Sequence, residues 1–262
     1  MDFVQERVLG LVTLIALFAA MYWRIGVAKK GDLPTIRRIA GLDALKEAVG
    51  RATELGRPVH YSTGIGALDN EFGPQTLAGL GMLQYVSMLC AQYGTKIINT
   101  VCNAVVFPLS QEMVKAGYAQ AGHPEAYTED MVRFMSSEQF AYAAGAMGTM
   151  QREKVAANIM IGAFYAEALL LAEAGFQAGA IQVGSTARMY QLPFFVIVCD
   201  YVLIGEEMFA ASAYVSRDAE KLGALVGQDI GKIVSVGLII IGAVLRSMKT
   251  NFLYDFLGKY GK

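Results

Sequence analysis

The sequence predicts an α/β fold: a mostly parallel, doubly wound (Rossmann-like) three-layer domain, flanked by an N-terminal and a C-terminal membrane helix. Two observations predict it. Short apolar runs alternate with amphipathic segments from about residue 40 to 228, the pattern of strands joined by crossover helices. In addition, 55% of the 262 residues are hydrophobic and only 17% charged, with a mean hydropathy of +0.40. That richness calls for a search for membrane spans.

The first span is 8–28, VLGLVTLIALFAAMYWRIGVA, interrupted only by Arg24. About 20 helical residues cover roughly 30 Å, the hydrocarbon thickness of a bilayer. Tyr22 and Trp23 suit the interface, and Arg24 can snorkel to headgroups. A cleaved signal peptide fits less well. Asp2 and Glu6 replace a basic leader, and bulky residues stand where small cleavage residues belong. Between positions 24 and 38 lie Arg24, Lys29, Lys30, Arg37 and Arg38, with Asp32 the only acid. This basic linker, 29–39, predicts an N-terminus outside and a body on the cytoplasmic side of the membrane.

Within 40–228 the first helix is 42–55, stopped by Gly56 and Pro58. Strands are predicted at 59–63, 96–101, 132–135, 156–161 and 180–183. Helices at 75–93, 108–121, 138–152 and 164–178 lie between them. The run LPFFVIVCDYVLIG is split at Asp200 into a short helix, 192–199, and a last strand, 201–204, before a helix at 206–216. No repeat or low-complexity linker divides this body, so one domain is expected. The tail, 229–262, carries thirteen uncharged residues at 233–245 between Lys232 and Arg246. A short second span, an interfacial or re-entrant helix, and a buried terminal helix all fit that run, and membrane embedding is favoured. Gly237 and Gly242 allow close helix approach there without GxxxG spacing.

Composition excludes several classes. A net charge of −1 argues against a nucleic-acid partner. Three cysteines without a CxxC and two histidines give neither a disulfide scaffold nor a standard metal centre. Gly64-Ile-Gly66 is the nearest approach to a dinucleotide fingerprint, but Asp69 stands at the third glycine and an irregular stretch follows. No GxxxxGK[ST] is present. No cofactor is expected.

Ligands in an open parallel sheet bind beyond the strand carboxyl ends. The crevice candidates there are Thr63, Gly64, Gly66, Asn99, Asn103, Gly162, Ser185, Thr186, Glu206 and Glu207. Turns and helix caps select the same residue types. Glu167 sits among Ala, Leu and Phe, where burial would raise its pKa as acid–base chemistry needs. No nucleophile, basic partner or metal-ligand spacing accompanies it, so the expectation leans away from an enzyme. His60 is expected as a hydrogen-bonded core or rim residue and His123 as a loop residue, with Cys90, Cys102 and Cys199 as buried thiols.

Several long phrases carry a resemblance: LDALKEAVGRATELGRPVHYSTGIG, RFMSSEQFAYAAG, ANIMIGAFYAEALLLAEAGFQAGAIQ, CDYVLIGEEMFAASAYVSRD and GQDIGK. Together they resemble an uncharacterised prokaryotic family of membrane-anchored proteins carrying a domain of unknown function. The resemblance implies a membrane-linked α/β body and brings no activity or site residue.

Helices rich in Ala and Gly (AYAAGAMGTM, AEALLLAEAGFQAGA, FAASAYVS) allow close packing on the sheet or on a neighbouring subunit. The expected function is therefore a non-catalytic module that forms a homo-oligomeric scaffold at the lipid bilayer. The alternative is a small-molecule-binding or sensory domain using the strand-end crevice.

Overall fold

The computed structural model describes residues 8–31, 39–216 and 218–247. They form two units, the sheet-containing body and a pair of helices from the two ends of the chain.

The body begins with helix α2 (Ala40–Glu54), taking α1 as the N-terminal helix described below. It continues through β1 (Val59–Gly64), α3 (Gly73–Tyr93), β2 (Ile97–Val101), α4 (Val106–Gln120), β3 (Val132–Phe134), α5 (Gln139–Glu153) and β4 (Ala157–Ala163). Then follow α6 (Glu167–Gln177), β5 (Ile181–Thr186), α7 (Leu192–Val198), β6 (Tyr201–Ile204) and α8 (Glu207–Ser216). The six strands are all parallel, in the order β3-β2-β1-β4-β5-β6. Helices α2, α3, α4 and α8 cover one face, and α5, α6 and α7 the other. Burial from both faces explains why β1, β2, β4 and β5 are buried along their whole length. The order reverses between β1 and β4, which makes their carboxyl ends the topological switch point.

The predicted strand–helix alternation is present throughout. The fifth strand runs on to Thr186, past the expected end at 183. Gly184 has no side chain to signal a strand, but that absence admits Phe195 and Cys199, on which any Cβ would intrude. The small-residue helix faces are likewise filled from within the body. A Cβ on Gly79 would strike the carbonyl of Ile161, one on Gly117 would strike α3, and one on Gly175 would reach Asn158 and Gln182.

A polar chain runs through this apolar sheet. In register across three strands, His60 Nδ1 pairs with Asn158 Oδ1 (2.8 Å) and Asn158 Nδ2 donates to Gln182 Oε1 (3.0 Å). On its other side His60 Nε2 meets Thr100 Oγ1 at 2.9 Å. His60 is fully buried, and burial lowers its pKa to about 4. It is therefore a core residue, neutral in the folded state. An unfolded histidine titrates near 6.5. The unfolded chain thus takes up a proton between pH 6.5 and 4 that the folded chain refuses, so this contribution to stability is complete above pH 6.5 and lost as pH falls. The difference amounts to roughly 3 kcal/mol. Urea unfolding across that range should show a fall of this order, and the fall should shrink in His60→Gln.

In the second unit, α1 (Val8–Lys29) packs antiparallel on α9 (Ala219–Ser247). Glycines of α9 form the contact surface: a Cβ on Gly223 would lie 2.6 Å from Ile25 Cα, and one on Gly227 2.6 Å from Met21 Cα. Leu17 covers Gly231. The spacing is Gly-xxx-Gly-xxx-Gly, the small-residue pattern of close helix pairs in membranes. At the end of the pair Lys29 Nζ meets Glu220 at 2.6 Å. A Cβ on Gly237 or Gly242, expected to permit close approach, would meet nothing within 4 Å among the described residues. The terminal helix also starts at Ala219, so it runs across the break expected at 228/229. Gly10–Lys29 and Ala219–Val244 are each long and apolar enough to cross a membrane, with only 6% of either stretch buried. A core helix of this length would be mostly covered. Residues 32–38 of the basic linker and 248–262 of the tail lie outside the described residues.

Candidate functional site

At the switch point two glycines let the ends of β1 and β4 approach closely. Gly64 (φ +76°) ends β1 at an irregularity in its register with β4, and a Cβ there would overlap the carbonyl oxygen of Ala163. Gly162 (φ +154°) is its counterpart on β4, where a Cβ would overlap the carbonyl oxygen of Thr63. L side chains rarely adopt such backbone, so both positions need glycine.

Beyond the strand ends a cavity of about 130 Å³ is lined by Ile65, Cys102, Asn103, Ser137 and Gln139. Glu167 opens α6 after β4 and is fully buried. Its carboxylate accepts from Gln139 Nε2 (2.5 Å) and from the Tyr165 N–H (2.9 Å). Burial pushes its pKa up against the pull of those hydrogen bonds and of Arg188. The Cys102 thiol is pushed up to about 11, first by burial and then by the carboxylates of Glu167 and Glu138, so it is no thiolate nucleophile near neutral pH.

The loop after β5 lies on the other side of Glu167. There the Arg188 guanidinium stands over the rings of Tyr165 (3.9 Å), Phe72 (4.3 Å) and Tyr190 (4.6 Å), each within cation–π range. Phe72 also packs edge-on against Tyr165 at 5.8 Å. Phe72 is the residue immediately before α3, and Gln75 in the first turn of that helix accepts from the Ala187 N–H at 3.3 Å. The chain's own side chains thus cover the helix N-terminus on which a dinucleotide rests its pyrophosphate. With nine residues of the chain from Gly64 to Phe72 in place of a tight glycine turn, the residues do not fit a dinucleotide.

The sequence candidates divide accordingly. Asn103 lines the cavity, Glu167 meets it through Gln139, and Gly64 and Gly162 lie at the neighbouring ends of β1 and β4. Gly66 gives room to Thr76 and Phe72. Thr63 is buried in the last part of β1. Asn99 lies in the middle of β2, fully buried, and both its amide atoms lack a hydrogen-bond partner among the described residues. Asn103 also holds the start of α4, its Oδ1 accepting from the Val105 N–H at 2.8 Å. Ser185 donates to the Leu203 carbonyl of β6, and Thr186 accepts from the Arg188 N–H. Glu207 accepts from the Ile204 N–H at 3.0 Å, a turn contact where β6 gives way to α8, while Glu206 stands just before that helix. Those two carboxylates lie past β6, at the sheet edge far from the switch point in strand order. Glu138 caps α5, its side chain accepting from the N–H groups of Phe140 and Ala141.

Gln139 and Arg188 escaped notice in the sequence, and Cys102 was expected only as a buried thiol. Only Arg188 offered a signal, as a cation two residues past a strand end. Among the described residues no group of three His, Cys, Asp or Glu side chains could hold a metal ion.

Residues 2–257 match DUF6754, described as a domain of unknown function. The chain belongs to that family. No curated protein and no solved structure matches this DUF6754 chain.

Proposed function

We propose that this DUF6754 chain is a membrane-held small-molecule-binding module, a receptor or sensory domain, with its ligand in the crevice at the switch point. The observation that carries this reading is the convergence at that point of two obligatory glycines, a cavity and a buried carboxylate bonded to a cavity-lining amide. A volume of about 130 Å³ holds roughly four waters. It lies well below the ~300–1,000 Å³ of drug-sized pockets, which favours a small ligand. The helix pair is the anchor. Its basic flank, Arg24, Lys29 and Lys30, favours the body on the cytoplasmic side.

Mass spectrometry of compounds released on denaturing the purified protein tests the crevice. A compound should be recovered with the wild type and depleted at least tenfold from Ser137→Trp, whose indole would fill the mouth. Equal recovery from both proteins, or no enriched compound in either, would remove the proposal.

Self-association is a second reading, supported by a different observation. Asp229 and Lys232 form an ion pair (3.3 Å) inside the apolar stretch of α9, with side chains 63% and 49% exposed on the helix pair. A charge in hydrocarbon costs about 2.5–3.5 kcal/mol by insertion scales, a cost that a second copy covering the pair would reduce. Of the small-residue helices, Gly175 packs within the chain against Asn158 and Gln182. The detergent-extracted particle should then be a multiple of the 28.3 kDa chain, falling to one chain in Asp229→Leu/Lys232→Leu. A wild-type particle of one chain would sink the idea.

A further inference from the structure

We infer that a small oxyanion carrying a hydroxyl binds beside the crevice, gripped by Arg188 and Gln191 under the loop 187–191, on the side where Arg188 acts on Glu167; this rests on the crevice reading above. The guanidinium of Arg188 is stacked on three rings but donates no hydrogen bond among the described residues, and its Nη1 is buried without a partner. Three residues on, Gln191 Oε1 is also buried without a partner. One orphan is a charged donor and the other a neutral acceptor. A buried polar group left unpaired is costly, the more so when charged. A single small molecule can satisfy both if it offers an anionic oxygen to Arg188 and an O–H to Gln191. Hydroxycarboxylates and hydrogenphosphate share that chemistry.

The aromatic cage suits this task. It holds the fork of Arg188 among three rings while Nη1 keeps a hydrogen-bond donor unspent, and a guanidinium fork binds oxyanions through such N–H groups. Entry requires the loop to lift, since Nη1 is closed from solvent. Only long hydrogen bonds tie the loop's start, Ala187 N–H to Gln75 Oε1 and Arg188 N–H to Thr186 Oγ1, both 3.3 Å. That is the weak end of hydrogen-bond geometry.

The full chain in detergent is titrated with lactate, propionate and inorganic phosphate at fixed ionic strength, with chloride as control, and thermal stabilisation is followed. Lactate or phosphate should stabilise saturably, and lactate at least tenfold more tightly than propionate, which lacks the hydroxyl. Arg188→Gln should weaken binding at least tenfold. Arg188→Lys, which keeps the charge and loses the fork, provides the same comparison if the glutamine variant does not fold. Gln191→Leu should abolish the preference for lactate over propionate while leaving the anion requirement. Saturation by lactate and phosphate alike would assign the shared oxyanion chemistry, and saturation by one alone would name the source. Binding unchanged in the Arg188 variants, or no stabilisation beyond chloride, would overturn the inference. The crevice reading would survive that outcome if Ser137→Trp still loses its released compound, and would fall with it if nothing is released from the wild type.

Discussion

Gly162→Ala should destabilise the body by about 3 kcal/mol or more. The added methyl carries two separate penalties. The backbone at φ +154° is one that L residues rarely adopt, and the Cβ would overlap the carbonyl oxygen of Thr63 on the neighbouring strand. Strain of the first kind costs about 1–3 kcal/mol, and overpacking about the same again. The obstacle is backbone, so no rotamer change relieves it. Relief requires β1 and β4 to separate at the place where the crevice opens. Urea unfolding measures the loss, and the released-compound assay should register loss of ligand in whatever fraction remains folded. Alanine at Gly50, where nothing lies within 4 Å and φ is not positive, is the control, expected to leave stability unchanged or raised slightly.

Gly227→Leu should have the largest effect on the helix pair. A Cβ there would already stand 2.6 Å from Met21 Cα, and the rest of the leucine side chain has nowhere to go between the two backbones. Small residues permit the close packing that drives helix association in lipid, where the hydrophobic effect between helices is absent. The pair should therefore part, although both helices stay apolar enough to remain in the bilayer. A disulfide formed between Leu17→Cys and Gly231→Cys, the facing positions of the two helices, reports the contact. It should form readily in an otherwise unaltered pair and fail once Gly227→Leu is added. Gly237→Leu, where nothing lies within 4 Å, should leave the cross-link intact.

Much of this architecture was legible because it is local. Pro58, Pro193 and the break at Asp200 mark element ends, and strands covered on both faces read as continuous apolar runs such as Ile97–Val101. The last strand, Tyr201–Ile204, followed from where the preceding apolar helix had to stop. What stayed hidden is non-local or depends on an absent side chain. Strand order is set by which runs meet in space, and nothing in β1 names β4 as its partner. The start of α9 was masked by Glu220, Lys221, Asp229 and Lys232, which interrupt hydropathy without interrupting the helix. Its glycines at 223, 227 and 231 were present in the sequence but lay outside the apolar run that drew attention.

The crevice shows the same division. Gly64, Gly162 and Glu167 were readable because a glycine at a strand end, or a carboxylate in an apolar helix, is anomalous by itself. Arg188 acquires its meaning only when Phe72, Tyr165 and Tyr190, from separate parts of the chain, close around it. Gln139 likewise matters through Glu167, 28 positions away. Glu206 and Glu207 show the opposite error. Their position before a helix and after a strand is a ligand-site pattern, yet β6 is the sheet edge and its carboxyl end is remote in strand order from the switch point.

Two helices crossing a bilayer as an antiparallel pair would hold the α/β body on one side. Labelling of single cysteines in sealed, oriented membrane vesicles tests this most directly, in a background with Cys90, Cys102 and Cys199 replaced by alanine. Glu125→Cys, exposed on the body, and Ser247→Cys, at the far end of α9, are treated with a membrane-impermeant maleimide from each side. Crossing by α9 predicts that the two label from opposite sides. Labelling of both from the same side, or extraction of the intact chain from the vesicles by carbonate, would contradict it.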